Sequence, residues 1–479
     1  MRFGAGCLTL LAIPAAVTCF VPSASFQHSQ SLAMSAASAG STSNPKPNLP
    51  LPPPIFSDEP GTWAYDTMSR RVDAEILQRT YEENEEKFNS PDFAEALKNF
   101  NDLRAELQDA ANTKLRHIKD LTEEEAKSEE RVREYNEWKH IMGPYVEKGD
   151  TWLTAPWLVT EFYAYRRLME ALGYFDKTKP TYMWDPFAKA KKAGLDTSVS
   201  SAENVMGKIE ALPNTKEGAG IAAAFSLWAN KMDLSIWPAD SENASVDVFQ
   251  KILHSAEENL LHDDVDTLTG YCEELRNNGG GMVDIIVDNA GFELVCDLAL
   301  ADHLVASGTA KTVTFQLKGH PTFVSDALEK DLIETVEYYA GLDETKYPNA
   351  KRAGLRWKEY LDEGKWVCSE NYFWCQPFAM WDMTEPLRSD MKERCDLAFV
   401  KGDANYRRLL GDRLWDLSAP FQDVVGCYFP CPVCALRTLK AELGCGMDAD
   451  QTEKAKALDD AWMTNGRFGV VQFGTGAGK

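Results

Sequence analysis

The sequence predicts an α/β fold in which a mainly α-helical domain precedes a domain built on a mostly parallel sheet. Three observations lead to this prediction. Residues 58–264 carry apolar side chains at three- and four-residue spacing, which is typical of amphipathic helices. From residue 265 onward, short apolar runs alternate with helical segments, which favours parallel strands joined by helices. The 479 residues are 44% hydrophobic and 11% aromatic, so the chain can bury a large core.

The first 57 residues differ in composition from the rest and predict a targeting leader. Arg2 precedes the apolar stretch "CLTLLAIPAAVTCFV", which suits a signal peptide and is short for a membrane span. A segment rich in Ser, Ala and Pro follows, and no acidic residue occurs before Asp58, as in transit peptides. We expect a two-part address to the plastid of an alga with complex plastids, disordered or removed in the mature protein. Secretion or an endomembrane location is the alternative.

Residues 58–264 predict the helical domain. Segments 69–88 and 92–121 have charges between their apolar positions, which predicts helices with one buried face. Residues 151–175 are more apolar and predict a buried helix. The charge-rich segment 121–139 is interpreted as a solvated helix face. No segment after the leader predicts a transmembrane helix, so we expect no membrane association in the mature form.

Residues 265–479 predict the α/β domain, which begins with a βαβ unit. "MVDIIV" (282–287) and "TVTFQL" (312–317) predict strands, and the segment 291–307 between them predicts a helix. "DLAFV" (396–400) and "VCALRTLK" (433–440) add two more strand-like runs. In an open parallel sheet, ligands bind beyond the carboxyl ends of the strands.

Polar residues follow each of these predicted strands. Asp288 and Asn289 follow the first, Asp326 follows the second, and Asp403 and Lys440 follow the later two. Each one alone is explained as a helix cap or a turn residue. Together they are expected to converge at one edge of the sheet.

The residue types in this set indicate metal-assisted hydrolysis of a phosphate ester. Two carboxylates and an amide oxygen, from Asp288, Asp326 and Asn289, suit a hard divalent cation such as Mg²⁺ or Mn²⁺. Lys440, with Arg407 and Asn405, supplies donors for phosphate oxygens.

Charge and cysteine content exclude other classes of function. The net charge of -24 argues against binding to nucleic acid or to anionic membranes, which would repel the chain. Of the eleven cysteines, Cys427, Cys431 and Cys434 are clustered in "CYFPCPVC". Buried reduced thiols are the favoured interpretation, with a redox-sensitive pair or a metal site as alternatives.

Four ordered motifs give the sequence a resemblance to a known family. "VDNAGFELVCDLALADHL", "PTFVSDALEKD", "KGDANYRRLLGD" and "ALRTLK" resemble the metal-dependent damage-control phosphatases, in particular the sugar-phosphate subfamily with an Arg-Thr-x-Lys motif. "PWLVTEFYAYRRL", "MWDPFAKAKK" and "LWANKMDLSIWP" in the helical half are also similar. The resemblance implies a helical N-terminal part packed on a Rossmann-like α/β/α sandwich. It further implies a divalent metal and hydrolysis of small phosphorylated metabolites such as fructose 1-phosphate or fructose 6-phosphate.

The resemblance also implies roles for individual residues. Asp288, Asn289 and Asp326 would bind the metal, Mn²⁺ or Mg²⁺ with Co²⁺ or Ni²⁺ as other candidates, and would also contact substrate. Lys440 would hold the phosphate and, with those three residues, form the catalytic set. The substrate loop would consist of Asp403, Ala404, Asn405, Tyr406 and Arg407. Either a water molecule or the carboxylate of Asp288 is the nucleophile.

Two departures and two nearby residues qualify this assignment. Ala229 stands where the family pattern has glycine, which would tighten the loop around Asn230, and the segment before the Arg-Thr-x-Lys motif is rich in cysteine. Lys318 and His320 lie near the predicted pocket and are expected to support it.

Two rival functions are weighed against phosphate hydrolysis. The same family has been linked to S-adenosylmethionine-dependent methylation of protein glutamates. That chemistry favours a glycine-rich turn between a strand and a helix. The only such string, "GTGAGK", ends the sequence and is interpreted as a flexible tail. The second rival is a non-catalytic metabolite-binding protein, which would tolerate the loss of a metal ligand.

Overall fold

A computed structural model describes residues 44–229 and 258–478, and a seven-stranded sheet lies at its centre. The strand order is β1-β7-β6-β5-β2-β3-β4. Strands β2 to β6 are parallel, whereas β7 is antiparallel to β6 and β1 is parallel to β7. The strands are β1 (Leu260–Asp263), β2 (Gly281–Ile286), β3 (Ala310–Lys318), β4 (Trp366–Asn371), β5 (Leu397–Lys401), β6 (Val433–Thr438) and β7 (Gly469–Gly474).

Helices surround this sheet on both faces. In the described part of the chain the α-helices are α1 (Trp63–Asp66), α2 (Gln78–Glu83), α3 (Glu85–Phe88), α4 (Ala94–Gln108), α5 (Glu129–Lys148), α6 (Trp157–Leu172), α7 (Ala188–Glu210), α8 (Lys216–Trp228), α9 (Val265–Asn277), α10 (Phe292–Ala306), α11 (Glu329–Ala340), α12 (Pro348–Asp362), α13 (Leu387–Arg394), α14 (Asp403–Leu409) and α15 (Ala449–Leu458). Wider π-helical turns occur at Thr67–Leu77 and Gln422–Gly426, and short 3-10 turns at Pro91–Phe93, Glu125–Lys127, Tyr372–Cys375 and Met380–Asp382. The mixed α/β fold is as the sequence predicted. Among these helices, none is long and apolar enough to cross a bilayer.

Two hydrophobic cores lie on opposite faces of the sheet. Side chains alternate along β2, so that Val283 and Ile285 enter one core while Ile286 enters the other, as the two-residue period of a strand requires. The helical segments up to α6 contribute to the core that contains Ile286, and those from α7 to α12 to the other. The result is a helix–sheet–helix sandwich in which residues before and after position 264 share both cores. The boundary at 264 therefore stays a prediction about domain organisation.

The sequence predicted the central strands and missed the outer ones. The predicted βαβ unit is confirmed, because β2 and β3 are parallel neighbours with α10 between them along the chain. Strands β1, β4 and β7 at the sheet margins were not predicted. The expected flexible tail is wrong for residues 474–477: Gly474 ends β7, and the Ala477 amide donates to the Phe429 carbonyl at 2.8 Å.

The charge-rich segment 121–139 is not simply a solvated helix face. Helix α5 begins only at Glu129, and it buries Glu134, which is 1% exposed. The Glu134 carboxylate pairs with Arg131 of the same helix at 2.7 Å and with Arg166 of α6 at 2.5 Å. These charges are buried because they pair with each other, which sequence spacing alone does not reveal.

Part of the predicted leader packs on the body of the protein. Residues 1–43 lie outside the described residues, but residues 44–57, here called the N-terminal strap, run along the surface. The Ile55 amide donates to the Asp412 carbonyl at 3.0 Å, and the Trp157 amide donates to the Ile55 carbonyl at 2.9 Å. Ser57 at the end of the strap is fully buried. The strap therefore bridges the start of α6 and the segment after α14.

Candidate active site

Polar loops at one edge of the sheet carry the residues that the sequence singled out. Strands β3, β2, β5 and β6 are parallel neighbours, so their carboxyl ends meet at that edge. Asp288 and Asn289 follow β2, and Asp326 lies in the loop after β3. A backbone bridge joins Asn289 to Asp326, and the Ala327 amide donates to the Asp288 carbonyl at 2.8 Å. These two loops are thereby fixed against each other.

The carboxylate of Asp288 packs directly against the backbone of Gly402. Asp288 is only 5% exposed, and Gly402 follows β5 with φ of +80°. A Cβ atom at residue 402 would lie 1.9 Å from Asp288 Oδ2, so a glycine is required for this close approach. Gly291 also has a positive φ, of +72°, and makes the tight turn that leads into α10.

Asp326 lies beside a buried lysine at the end of β3. Both Asp326 and Lys318 are 1% exposed, and Lys318 Nζ lies 3.1 Å from Asp326 Oδ2. The ammonium group also donates to Asn405 Oδ1 at 3.3 Å. Within the described part of the chain, Asp326 Oδ2 accepts no aligned hydrogen bond, although it has this ion-pair contact. Lys318 therefore links a predicted metal ligand to the predicted substrate loop.

Burial raises the pKa of both carboxyl groups. For Asp288 the neighbouring Asp326 and Glu293 raise the pKa further, against the lowering effect of Lys440. For Asp326, burial outweighs the lowering effect of Lys318. Two buried acids with raised pKa values indicate a site in which the nearby lysines do not fully offset the negative charge.

A divalent cation fits this donor set. No group of three or more His, Cys, Asp or Glu side chains forms a metal cluster among the described residues, but the predicted set has two carboxylates and one amide. A cation would offset the repulsion between Asp288 and Asp326 and would give Asp326 Oδ2 a second partner beside Lys318. Hard oxygen donors of this kind suit Mg²⁺ or Mn²⁺.

The amide of Asn289 is held on both sides. Its Nδ2 donates to Asp288 Oδ2 and to Glu293 Oε2, each at 2.9 Å. Its Oδ1 accepts a hydrogen bond from Ser325 Oγ at 2.5 Å. Sequence analysis missed Glu293, which is 7% exposed in the first turn of α10. Because Asn289 lies before the helix begins at Phe292, helical spacing could not indicate this contact, and only the fold shows it.

The Arg-Thr-x-Lys motif holds Asp403. Arg437 is fully buried, and its Nε donates to Asp403 Oδ1 at 2.8 Å. The Lys440 amide donates to the same oxygen at 3.0 Å. Desolvation lowers the pKa of the Lys440 ammonium, but Glu293, Asp288 and Asp403 raise it, and the balance is upward. Lys440 is thus a cation held among the acids, while Arg437 positions the loop.

The predicted substrate loop forms the start of the short helix α14, and its side chains divide between site and core. Asn405 is buried and contacts Lys318 at the site, whereas Ala404 offers only a methyl group. Tyr406 points into the core, where its hydroxyl donates to Gln472 Oε1 at 2.6 Å.

The guanidinium of Arg407 contacts two carboxylates and an indole ring. Its guanidinium donates to Asp412 at 2.8 Å and to Glu161 of α6 at 2.6 Å, and it lies 3.6 Å from the Trp157 ring centroid. In this arrangement Arg407 joins α6 to α14 and has no donor directed to the acids of the site.

The other predicted residues lie apart from this group. Cys434 in β6 belongs to one core and Cys431 to the other, so these two thiols do not face a common metal. Both are free and buried, and Cys427 is partly buried. His320 is buried against Phe175. Asn230 lies outside the described residues.

Comparisons with known proteins match most of the chain. A family model described as the damage-control phosphatase ARMT1-like domain matches residues 67–455. The damage-control phosphatase ARMT1 of Danio rerio is 34% identical over 361 residues, which are 72% of this chain and 79% of that protein. The protein of the same name from Xenopus tropicalis is 31% identical over 443 residues, 87% of this chain and 97% of that protein. The protein of the same name from Homo sapiens is 32% identical over 359 residues, which are 71% of this chain and 79% of that protein.

A solved structure was also matched. The crystal structure of a DUF89 family protein from Pyrococcus horikoshii is 18% identical and covers 66% of this chain and 87% of that chain, with a TM-score of 0.35.

Proposed function

The chain belongs to the damage-control phosphatase ARMT1-like family, which supports a phosphatase of metabolite repair, and from this premise we propose that it hydrolyses sugar phosphates in a metal-dependent reaction. Fructose 1-phosphate and fructose 6-phosphate are the proposed substrates, and Mn²⁺ or Mg²⁺ the proposed cofactor. The proposal rests on one observation: two buried carboxylates, Asp288 and Asp326, lie near two cationic side chains, Lys440 and Lys318. A phosphate ester bound to a metal needs acids for the cation and cations for the phosphate oxygens.

Asp288, Asn289 and Asp326 would hold the metal, which would supply Lewis-acid polarisation of the phosphoryl group. Lys440 and Lys318 bring positive charge close to the acids and would offset charge on the phosphate oxygens as the ester bond breaks. Asp403, held by Arg437, has its carboxylate at the same edge of the sheet and can accept hydrogen bonds from sugar hydroxyl groups. Burial of Asp288, Asp326 and Lys318 keeps bulk water away from these three charges and so strengthens their effect.

Phosphate release is the direct test of the proposed function. The purified protein is incubated with each fructose phosphate, with Mn²⁺ or Mg²⁺ and with excess chelator, and inorganic phosphate is measured. We expect release that requires the metal. Binding of S-adenosylmethionine, measured by calorimetry on the same preparation, is the parallel arm for the methyltransferase alternative. Binding of S-adenosylmethionine without any release of phosphate from either fructose phosphate would contradict the proposed phosphatase.

The variants Asp288→Ala and Asp326→Ala test the assignment of the site. Each removes one carboxylate that the metal would need, so we expect metal-dependent phosphate release to fall at least about 100-fold. The circular dichroism spectrum should stay as in the wild type. Glu344→Gln, an exposed acid after α11, is the control and should keep full activity. Full activity of either aspartate variant would rule out this site.

A further inference from the structure

We infer that Glu293 is a positioning residue that sets the orientation of the Asn289 amide and thereby presents its oxygen to the metal. This inference rests on the proposed function, and it concerns a residue that touches Asn289 rather than the reacting atoms. Glu293 lies four residues after Asn289, in the first turn of α10, and accepts a hydrogen bond from Asn289 Nδ2 at 2.9 Å.

An asparagine in a metal site is ambiguous, because its amide has a donor end and an acceptor end of nearly the same shape. Only the oxygen can bind a cation. An amide turned by 180° would point two N–H groups at the cation and would repel it. The hydrogen-bond partners of the amide therefore decide whether Asn289 is a ligand.

Glu293 resolves this ambiguity for Asn289. A carboxylate only accepts hydrogen bonds, so the Nδ2 atom must face Glu293, and the second acceptor, Asp288 Oδ2, lies at the same 2.9 Å distance. The oxygen is then directed away from Glu293, and Ser325 Oγ donates to it at 2.5 Å.

The surroundings of Glu293 fit this role. Its side chain is 7% exposed, so water competes little for its oxygens. It occupies the first turn of α10, a helix of 15 residues, where the helix dipole favours a negative charge. Groups that orient metal ligands in this way commonly account for a 10- to 100-fold share of metal affinity.

The test measures binding of Mn²⁺ itself to the full chain, by the loss of the free-ion electron paramagnetic resonance signal during titration. In Glu293→Gln, which keeps the shape of the side chain, the new amide can donate as well as accept, so Asn289 is no longer fixed. We expect Mn²⁺ affinity to fall about 10- to 100-fold. Glu344→Gln removes the charge of an exposed side chain after α11 and should leave the affinity unchanged.

A double-mutant cycle separates orientation from the loss of charge. Asn289→Asp supplies an oxygen at either end, and in the Glu293→Gln background the glutamine can donate to it, so affinity should recover. In the wild-type background the same change sets two carboxylates against each other. We therefore expect Asn289→Asp to be at least about 10-fold more favourable for Mn²⁺ binding when Glu293 is replaced. If Glu293→Gln does not fold but the double variant keeps the wild-type circular dichroism spectrum, the double variant decides, since near wild-type affinity supports the inference and lost affinity contradicts it.

Three outcomes would overturn the inference, and the third is distinguishable from the first two. Wild-type affinity in Glu293→Gln, or an equal effect of Asn289→Asp in both backgrounds, removes the positioning role and leaves the proposed phosphatase intact. A wild-type protein that neither binds Mn²⁺ nor releases phosphate would remove the proposed function and the inference with it.

Discussion

At the scale of single residues, the candidate site depends on close contacts that tolerate little change. Asp288 occupies the space that a Cβ atom at Gly402 would fill, and Asp403 is fixed by both Arg437 and the Lys440 backbone. These contacts come from three different loops. A substitution that adds one methyl group in this region is therefore expected to act on the proposed metal binding and on stability together.

Gly402→Ala is expected to abolish Mn²⁺ binding and phosphate release. The added Cβ would overlap the Asp288 carboxylate, and the positive φ adds strain of about 1 kcal/mol. Gly364→Ala is the matched control, because Gly364 has φ of +70° but a Cβ atom added there would meet nothing within 4 Å. Both variants should lose stability in chemical denaturation, but only Gly402→Ala should lose metal binding. Equal loss of binding in both would contradict the steric argument.

His262 gives the stability of the protein a dependence on pH. Its Nε2 lies 3.1 Å from Asp264 Oδ2, with about a quarter of each side chain exposed, and the hydrogen bond to Asp264 raises the pKa of the imidazole. A raised pKa in the folded state means that the stabilisation is complete below the unfolded pKa of about 6.5. It is lost as the pH rises through the folded pKa.

His262→Gln should therefore lower the free energy of unfolding at pH 5.5 by about 0.5–1 kcal/mol, and by less at pH 8.5. Chemical denaturation at the two pH values measures the difference. His140→Gln, on the exposed face of α5, serves as the control. A larger effect of His262→Gln at the higher pH would reverse the sign and refute the argument.

At the scale of elements, ion pairs and the N-terminal strap join the helical half to the sheet half. Arg407 at the start of α14 binds Glu161 of α6, and the Leu158 amide donates to Asp412 Oδ2 at 3.1 Å. The strap adds backbone hydrogen bonds to Asp412 and Trp157. Helix α6 is therefore held to the segment that follows α14.

Removal of the N-terminal strap is expected to destabilise the fold. A chain that begins at Asn44 keeps the whole strap and is the reference for the comparison. A chain that begins at Asp58 should lose on the order of 3 kcal/mol in chemical denaturation, because several backbone hydrogen bonds and buried apolar contacts are lost together. Equal stability of the two shortened chains would show that the strap contributes nothing.

At the scale of the whole molecule, binding of the proposed metal would be coupled to folding. The candidate ligands come from loops after β2 and β3, which are arranged only when the sheet is folded. A ligand that binds the folded state alone stabilises it in proportion to the logarithm of its concentration.

Mn²⁺ at 100 times its dissociation constant should therefore raise the free energy of unfolding by about 2.7 kcal/mol. Thermal unfolding with and without the ion measures this as a higher midpoint. Asp326→Ala should show no such increase. If the variant were stabilised as much as the wild type, the ion would be binding elsewhere on the protein.

The sequence by itself determined the α/β class, the central βαβ unit and the approach of Asp288, Asn289 and Asp326, because strand ends are local and parallel strands align them at one edge. The strap, the marginal strands and the buried charges of α5 could not be predicted from local patterns. Their positions depend on partners distant along the chain.

Only the tertiary structure decided what each polar group contacts. It directed Arg407 to Glu161 and Asp412, placed Lys318 between Asp326 and Asn405, and brought Glu293 to Asn289. The physical reason is that a buried polar atom must find a partner wherever the fold provides one. A sequence motif shows which polar residues could form a site, and the packing of the sheet and helices determines which of them contact each other.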